Sequence, residues 1–207
     1  MKQQTIHMFV FDTLADWEPG FAIAGLNNPA FQAQPGRYRV ATVGGSKAPI
    51  VTVGGVTILP DLAIDELTPA SSAMLILPGG GGWDQGANTE ALDLARRFLA
   101  AGVPVAAICG ATAGLARAGI LDQVQHTSNA REYLAATGYR GAALYQDQPA
   151  AADGNVITAS STAPIEFAYQ IFKQLGVYSD QVLEAWFGLF KTGDAAYYGA
   201  LTQQAAG

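Results

Sequence analysis

The chain has one cysteine in 207 residues, Cys109, and its surroundings make it the first candidate for chemistry. It follows the apolar run Val105-Ala106-Ala107-Ile108 and precedes the small-residue run Gly110-Ala111-Thr112-Ala113-Gly114. A buried strand that turns at once into a small-residue helix is the arrangement of a nucleophile elbow. The sharp turn presents the side chain, and small neighbours, here Gly110 and Ala111, let the turn close. At a helix N-terminus, unpaired N–H groups and the dipole favour the thiolate, so the pKa of Cys109 is expected below its ordinary value. The competing reading is a buried cysteine acting as a small hydrophobe.

Three further segments carry groups that would complete such a site. Leu75-Ile76-Leu77 empties into Pro78-Gly79-Gly80-Gly81-Gly82, where glycine lets backbone N–H groups face a ligand closely. The N–H of Gly80 together with that of Gly110 would then form an oxyanion hole beside the thiol. Asp16-Trp17-Glu18-Pro19 follows the first apolar run, and Glu18 is the chosen carboxyl partner. A carboxyl beside a thiolate is held protonated by burial and like charge, and can donate to sulfur or pass a proton. The plainer reading puts Asp16 and Glu18 at the start of a helix through Phe21, Ile23, Ala24 and Leu26. Of the two histidines, His7 alternates with apolar residues and fits a structural role. His126, in Gln125-His126-Thr127-Ser128-Asn129, is the candidate proton acceptor for Cys109, with Asn129 expected to cap a helix from Ala130.

The elements that would position these groups alternate along the chain. Short apolar runs read as buried strands at residues 6–11, 38–43, 73–77, 103–108 and 155–159. Helices are expected over 89–101, with Thr89 as N-cap and Gly102 as stop, and over 164–175, with Pro164 near its start and Gly176 ending it. Strand–helix alternation with fully apolar strands is the pattern of a parallel sheet covered on both faces. Val51-Thr52-Val53, Gly54-Gly55 and Val56-Thr57-Ile58 spell an inserted β-hairpin with a two-glycine turn. Residues 150–154 read as a loop, and the aromatic tail from Ser179 as two amphipathic helices.

Composition narrows the function. The length suits one domain over 1–207, and half the residues are hydrophobic with 14% charged. A net charge of −6 with eleven scattered Lys and Arg argues against nucleic acid as a partner. A lone cysteine excludes an internal disulfide, and no Cys/His spacing suggests a metal site. No run nears the roughly 20 apolar residues that span a bilayer. Met1-Lys2-Gln3-Gln4 leads straight into a strand pattern without a signal-peptide profile, which points to a soluble cytoplasmic protein. The tail from Trp186 to Tyr198 has enough apolar surface for a homodimer contact, or for packing back onto the sheet.

Together these segments resemble the ThiJ/PfpI superfamily, class I glutamine-amidotransferase-like proteins that include the parkinsonism-associated deglycase. The resemblance rests on Glu18, Leu77-Pro78-Gly79-Gly80, Ala107-Ile108-Cys109-Gly110-Ala111, His126-Thr127, Ile157-Thr158-Ala159-Ser160 and Pro164-Ile165-Glu166-Phe167-Ala168. It implies a flavodoxin-like three-layer α/β sandwich, a cysteine on a strained elbow, and a protonated glutamate touching sulfur. By carry-over Cys109 is the nucleophile, Glu18 its carboxyl partner, Gly80 and Gly110 the oxyanion donors, and His126 a nearby acid–base. Two departures matter. The protease-like branch has histidine directly after the cysteine, where this chain has Gly110, and glutamine amidotransferases need a late His-x-Glu pair, whereas no histidine follows His126.

The expected function is therefore a cofactor-independent enzyme using Cys109 against small electrophiles such as α-oxoaldehydes. A redox-responsive protein that senses oxidants through Cys109 is the alternative, and an intracellular cysteine peptidase ranks below both.

Overall fold

In a computed structural model that describes residues 3–204, the apolar runs assemble side by side. Among the described residues the strands are β1 (Gln4–Phe9), β2 (Tyr38–Gly44), β3 (Ile50–Val51), β4 (Thr57–Ile58), β5 (Leu62–Ala63), β6 (Met74–Leu77), β7 (Val105–Ile108), β8 (Ala150–Asp153) and β9 (Val156–Ala159). The helices are α1 (Trp17–Asn27), α2 (Gly81–Asp84), α3 (Thr89–Ala100), α4 (Gly110–Arg117), α5 (Arg131–Ala135), α6 (Pro164–Leu175), α7 (Asp180–Thr192) and α8 (Ala195–Gln204).

Seven strands form one sheet in the order β5-β2-β1-β6-β7-β9-β8, parallel throughout except for β8. All four residues of β6, β7 and β9 are buried, because helices cover both faces, and this is why these strands show no polar alternation. On one face α1 and α6 pack together over the sheet, and on the other lie α3 and α4. The apolar stripe of α3 is Ala91, Leu94, Ala95 and Phe98, spaced three and four residues apart so that one face meets the sheet. Burying a side chain such as Leu94 or Phe98 contributes about 1.5–3 kcal/mol.

The chain lays down β1, β2 and β5 on one side, then returns to place β6 on the opposite flank of β1. That reversal leaves a crevice beyond the carboxyl ends of β1 and β6, the place where open α/β sheets bind ligands. The loops that carry Glu18, Gly79 and Cys109 all leave from this edge.

Several local features differ from the pattern-based expectation. β1 leaves the sheet at Phe9, although Val10 and Phe11 remain buried. Thr89 is the first helical residue of α3, and its N-cap is Asn88 in a left-handed conformation without a side-chain cap. The expected loop over 150–154 is instead β8, which folds back on β9 in register Asp153↔Val156 around Gly154 and Asn155. Gly154, at φ 55°, takes the left-handed turn conformation, and the alanine-rich sequence had hidden the strand. The hairpin β3–β4 forms as its own two-stranded sheet, but Gly55 N–H donates to Thr52 O, so the turn is Val53-Gly54 followed by a left-handed Gly55.

The C-terminal tail packs back on α1 and α6. Trp186 meets Phe21 and Phe172 edge-on and stacks against Tyr178. Gly25 makes this approach possible: a Cβ there would lie 2.3 Å from Phe172 Cζ and 2.9 Å from Tyr178 Oη. Gly25→Ala is expected to lower stability by about 1–3 kcal/mol through overpacking. Chemical denaturation of the variant measures it, and an unchanged midpoint would mean that α1 and α6 are not packed this closely.

Candidate active site

Cys109 ends β7 and starts α4 with φ 58° and ψ −126°, a conformation that a residue with a Cβ adopts only under constraint. The constraint is visible on both sides of the residue. Its N–H donates to Ala159 O at 3.0 Å, while its carbonyl accepts from Thr112 N at 3.0 Å and Thr112 Oγ1 at 2.6 Å. Close packing behind the elbow requires small residues. A Cβ on Gly114 would lie 2.6 Å from the Trp83 ring, and one on Gly110 would lie 3.1 Å from Trp83 Cβ and 3.2 Å from Gly80 O. The elbow expected from the sequence is therefore present, with Gly114 the most tightly constrained of its glycines.

Glu18 lies in the first turn of α1 and is fully buried. Its Oε2 accepts the Gly79 N–H at 2.6 Å, and its Oε1 is buried without a hydrogen-bond partner. The carboxyl lies beside Cys109, both groups bordering Gly79 Cα, close enough that each perturbs the other's ionisation. Asp16, two residues earlier, turns away to the hairpin, where it accepts from Gly54 N at 2.7 Å and from the Thr52 hydroxyl. The hairpin thus anchors the loop that delivers Glu18.

The thiol departs from expectation in its electrostatics. Burial and the adjacent Glu18 carboxylate push Cys109 up to about 11, outweighing hydrogen bonds from Asn129 and the Gly110 N–H. Burial likewise raises Glu18 above its ordinary value, with its bonds to Cys109 and Gly79 opposing. The helix terminus alone does not make a thiolate here, because desolvation of the sulfur costs more than the N–H groups return. The two groups resist a second negative charge and act as a pair that shares a proton. Moving that proton from sulfur to the Glu18 carboxylate would leave a thiolate in place.

Asn129 was expected to cap a helix, yet α5 starts at Arg131 with Ala130 before it. Its Oδ1 instead accepts from Ser161 N at 2.9 Å, which fixes the amide so that Nδ2 donates to Cys109 Sγ at 3.4 Å. It is a site residue that sequence reasoning assigned elsewhere. Tyr133, also on the α5 turn, donates to Asp84 Oδ1 at 2.6 Å, and burial together with Asp84 and Cys109 raises its pKa.

His126 is fully buried and is not brought together with Cys109. Its Nδ1 is 2.8 Å from Val124 O and its Nε2 is 3.0 Å from Tyr139 Oη. A carbonyl only accepts, so Nδ1 carries the hydrogen and Nε2 accepts from Tyr139, which leaves no ring nitrogen free for a thiol. His126→Gln is expected to cost about 1–3 kcal/mol of stability through these lost partners. The rate of Cys109 alkylation by iodoacetamide should stay unchanged, and a collapse of that rate would return the imidazole to the site. His7 bonds Ser72 Oγ at 2.9 Å and is held down to about 4 by burial, consistent with a structural role.

Gly80 stands at φ 156°, ψ 164°, where a Cβ would lie 2.4 Å from Thr13 O, so this position requires glycine. In the glycine run the N–H that binds the Glu18 carboxyl is that of Gly79. Among the described residues no group of three or more His, Cys, Asp or Glu is placed to hold a metal ion. Nor is any helix long and apolar enough to cross a membrane.

A strained cysteine and a buried glutamate at the switch point of a parallel sheet define a flavodoxin-like α/β protein with a cysteine elbow. The chain belongs to the DJ-1/PfpI family, whose sequence profile matches residues 4–174. It is 39% identical over 201 residues, 96% of each chain, to a Bacillus subtilis protein named uncharacterized protease YoaZ. The crystal structure of a ThiJ/PfpI family protein from Bacillus anthracis superposes with a TM-score of 0.91 at 39% identity, covering 99% of both chains. A shorter match, 36% identical over 75 residues, spans 36% of this chain and 45% of deglycase PfpI from Pyrococcus furiosus.

Proposed function

We propose that the protein is a cofactor-independent enzyme in which Cys109 attacks small electrophiles, α-oxoaldehydes in particular. The observation that carries this reading is the buried Glu18 carboxyl, fixed by Gly79 N–H, beside a cysteine on a strained elbow. The thiol gives its proton to Glu18, and sulfur adds to the aldehyde carbon as the C=O π pair moves to oxygen. The Gly110 and Gly80 N–H groups are the proposed donors to that oxyanion, which then takes the proton back from Glu18. The Glu18 carboxylate next removes the hydrogen on the former aldehyde carbon and returns it to the adjacent carbonyl carbon, while the hydroxyl proton of the first carbon passes to the oxygen of the second. One carbon is oxidised and its neighbour reduced, giving a thioester that water hydrolyses to a 2-hydroxy acid. Among the relatives, PfpI bears the name deglycase, which is in keeping with carbonyl chemistry.

Purified protein is expected to convert methylglyoxal to lactate without added cofactor, and Cys109→Ser to lose this activity. Equal rates for wild type and variant would overturn the reading. Peptidase activity, suggested by the name of the B. subtilis relative, ranks lower because Gly110 follows the cysteine and His126 has no free nitrogen. The redox alternative draws on the same sulfur environment, since the Asn129 amide and Gly110 N–H could hold a sulfinate. Mass spectrometry after graded peroxide separates it: oxidation confined to Cys109 at low dose supports sensing. A cytoplasmic setting, in keeping with a single free thiol, and a homodimer through the exposed Phe190 and Tyr198 belong to the same proposal.

A further inference from the structure

A cleft of about 580 Å³ is lined in part by Asn129, the residue whose amide donates to Cys109 Sγ at 3.4 Å. It is lined by residues 128–132 at the start of α5, the loop over 145–149, the loop after β9, Glu166 of α6 and Lys191 of α7. No Leu, Ile, Val, Met, Phe or Trp lines it. Its inner surface instead holds paired polar groups. Ser160 Oγ and Thr162 Oγ1 lie 3.2 Å apart, Lys191 Nζ and Glu166 Oε1 lie 2.6 Å apart, and Gln148 stands on the same rim.

The lining argues against an anion and against an apolar chain. An anion would need a free cation, yet Lys191 is paired with Glu166, and Arg131 is turned to Ala142 O and stacked on the Tyr145 ring. Glu132 and Asp147 in the lining repel negative charge further. An apolar chain would find no large aliphatic surface, and would instead suit the aromatic groove of Trp17, Phe21, Trp186 and Phe190 below α7. A neutral chain rich in hydroxyls suits this lining, because vicinal diols can bond both members of a hydroxyl pair or of a carboxylate–ammonium pair. The volume is far larger than a three-carbon aldehyde needs, at roughly 30 Å³ per water-sized unit.

We propose that this cleft is the subsite for the polyhydroxy tail of sugar-derived 2-oxoaldehydes, whose aldehyde carbon is placed at Cys109. The inference rests on the reading of Cys109 as the nucleophile for α-oxoaldehydes and assigns that reaction its substrate class. The chemistry balances as before: C1 is oxidised to the acid, C2 is reduced to the alcohol, and one water is consumed. Binding energy from the remote hydroxyls is then available to hold the reacting carbon against sulfur.

The test compares 3-deoxyglucosone with methylglyoxal in two measurements on the intact protein. One is kcat/KM for each, and the other is the concentration of each that half-protects Cys109 from iodoacetamide, which needs only adduct formation. The six-carbon compound is expected to protect at concentrations at least about 10-fold lower and to be turned over with correspondingly higher kcat/KM. The preference should vanish in Thr162→Val and in the double variant Glu166→Gln, Lys191→Met, which removes both charges together and leaves neither orphaned. Melting temperatures close to wild type confirm that these variants fold. Equal protection by both aldehydes, or a preference that survives both variants, overturns the subsite while leaving the aldehyde reading standing. If neither aldehyde protects Cys109, the aldehyde reading itself fails, and the subsite with it.

Discussion

Replacing Glu18 with glutamine is expected to lower α-oxoaldehyde turnover by roughly 10²–10⁴-fold while making Cys109 easier to ionise. These opposite movements follow from the two things that the carboxyl does. As a charge beside sulfur it is, after burial, the largest reason that the thiol is pushed up to about 11. In the proposed reaction it is also the base that takes the proton from sulfur and later from carbon. Glutamine keeps an oxygen to accept the Gly79 N–H, so geometry is preserved while charge and basicity are lost. The pH midpoint for alkylation of Cys109 by iodoacetamide should therefore move below about 11, as catalysis disappears. Undiminished turnover, or an unmoved alkylation midpoint, would remove Glu18 from the role of base.

The same substitution has a pH signature in stability. Burial raises the folded-state pKa of Glu18 above its ordinary 4.5, so the native protein holds this proton more tightly than the unfolded chain does. The resulting stabilisation is fully present below pH 4.5 and is lost as pH rises through the folded value. At pH 7 the wild type carries that loss, and Glu18→Gln does not. The variant is expected to melt higher at pH 7, with the gap closing as pH falls below 4.5. Thermal melts of both proteins across this range check the sign.

Gly79→Ala should be nearly as damaging to function, through sterics alone. A Cβ there would lie 2.5 Å from Glu18 Oε2 and 2.6 Å from Cys109 Cβ. The cysteine cannot retreat, because its backbone is bonded to Ala159 and Thr112 and its turn is already strained. Glu18 must move instead, giving up the Gly79 N–H and its place beside Cys109. A displacement of this size is expected to lower turnover by at least about 10²-fold and stability by about 1–3 kcal/mol. Gly81→Ala is the matched control in the same run, since the nearest atom to its Cβ is Thr13 Oγ1 at 3.7 Å, an ordinary contact. Steady-state assays and denaturation of both variants decide the matter, and equal effects at the two positions would refute the steric argument.

Much of the fold was legible because its signals are local. The apolar runs that became β6, β7 and β9 are short, continuous and bounded by turn residues, and the spacing of Ala91, Leu94, Ala95 and Phe98 declares a helix face. The elbow was legible for the same reason: a strand, a cysteine and a run of small residues are adjacent in sequence. Glu18 could be named because few acids follow the first strand. Local spacing does not separate it from Asp16, which the plainer reading places beside it at a helix start, and the two part only where the hairpin captures Asp16.

What the sequence could not decide depends on groups far apart in the chain. Asn129 looked like a cap, because Asn before a helix usually is one, and only the approach of Ser161 turns its amide toward sulfur. His126 looked like a partner for Cys109, but Tyr139 and Val124 O occupy both its nitrogens. Gly79 and Gly80 are indistinguishable in a run of four glycines until Glu18 binds one of their N–H groups. The ionisation of Cys109 was misjudged because the helix terminus is written in the local sequence, while the burial and the Glu18 charge that outweigh it are not. The sequence by itself determined that a cysteine is presented at the carboxyl edge of a parallel sheet. The tertiary structure alone decided which groups meet its sulfur and where its proton goes, since both are set by distances across the sheet, and short-range sequence patterns do not encode those distances.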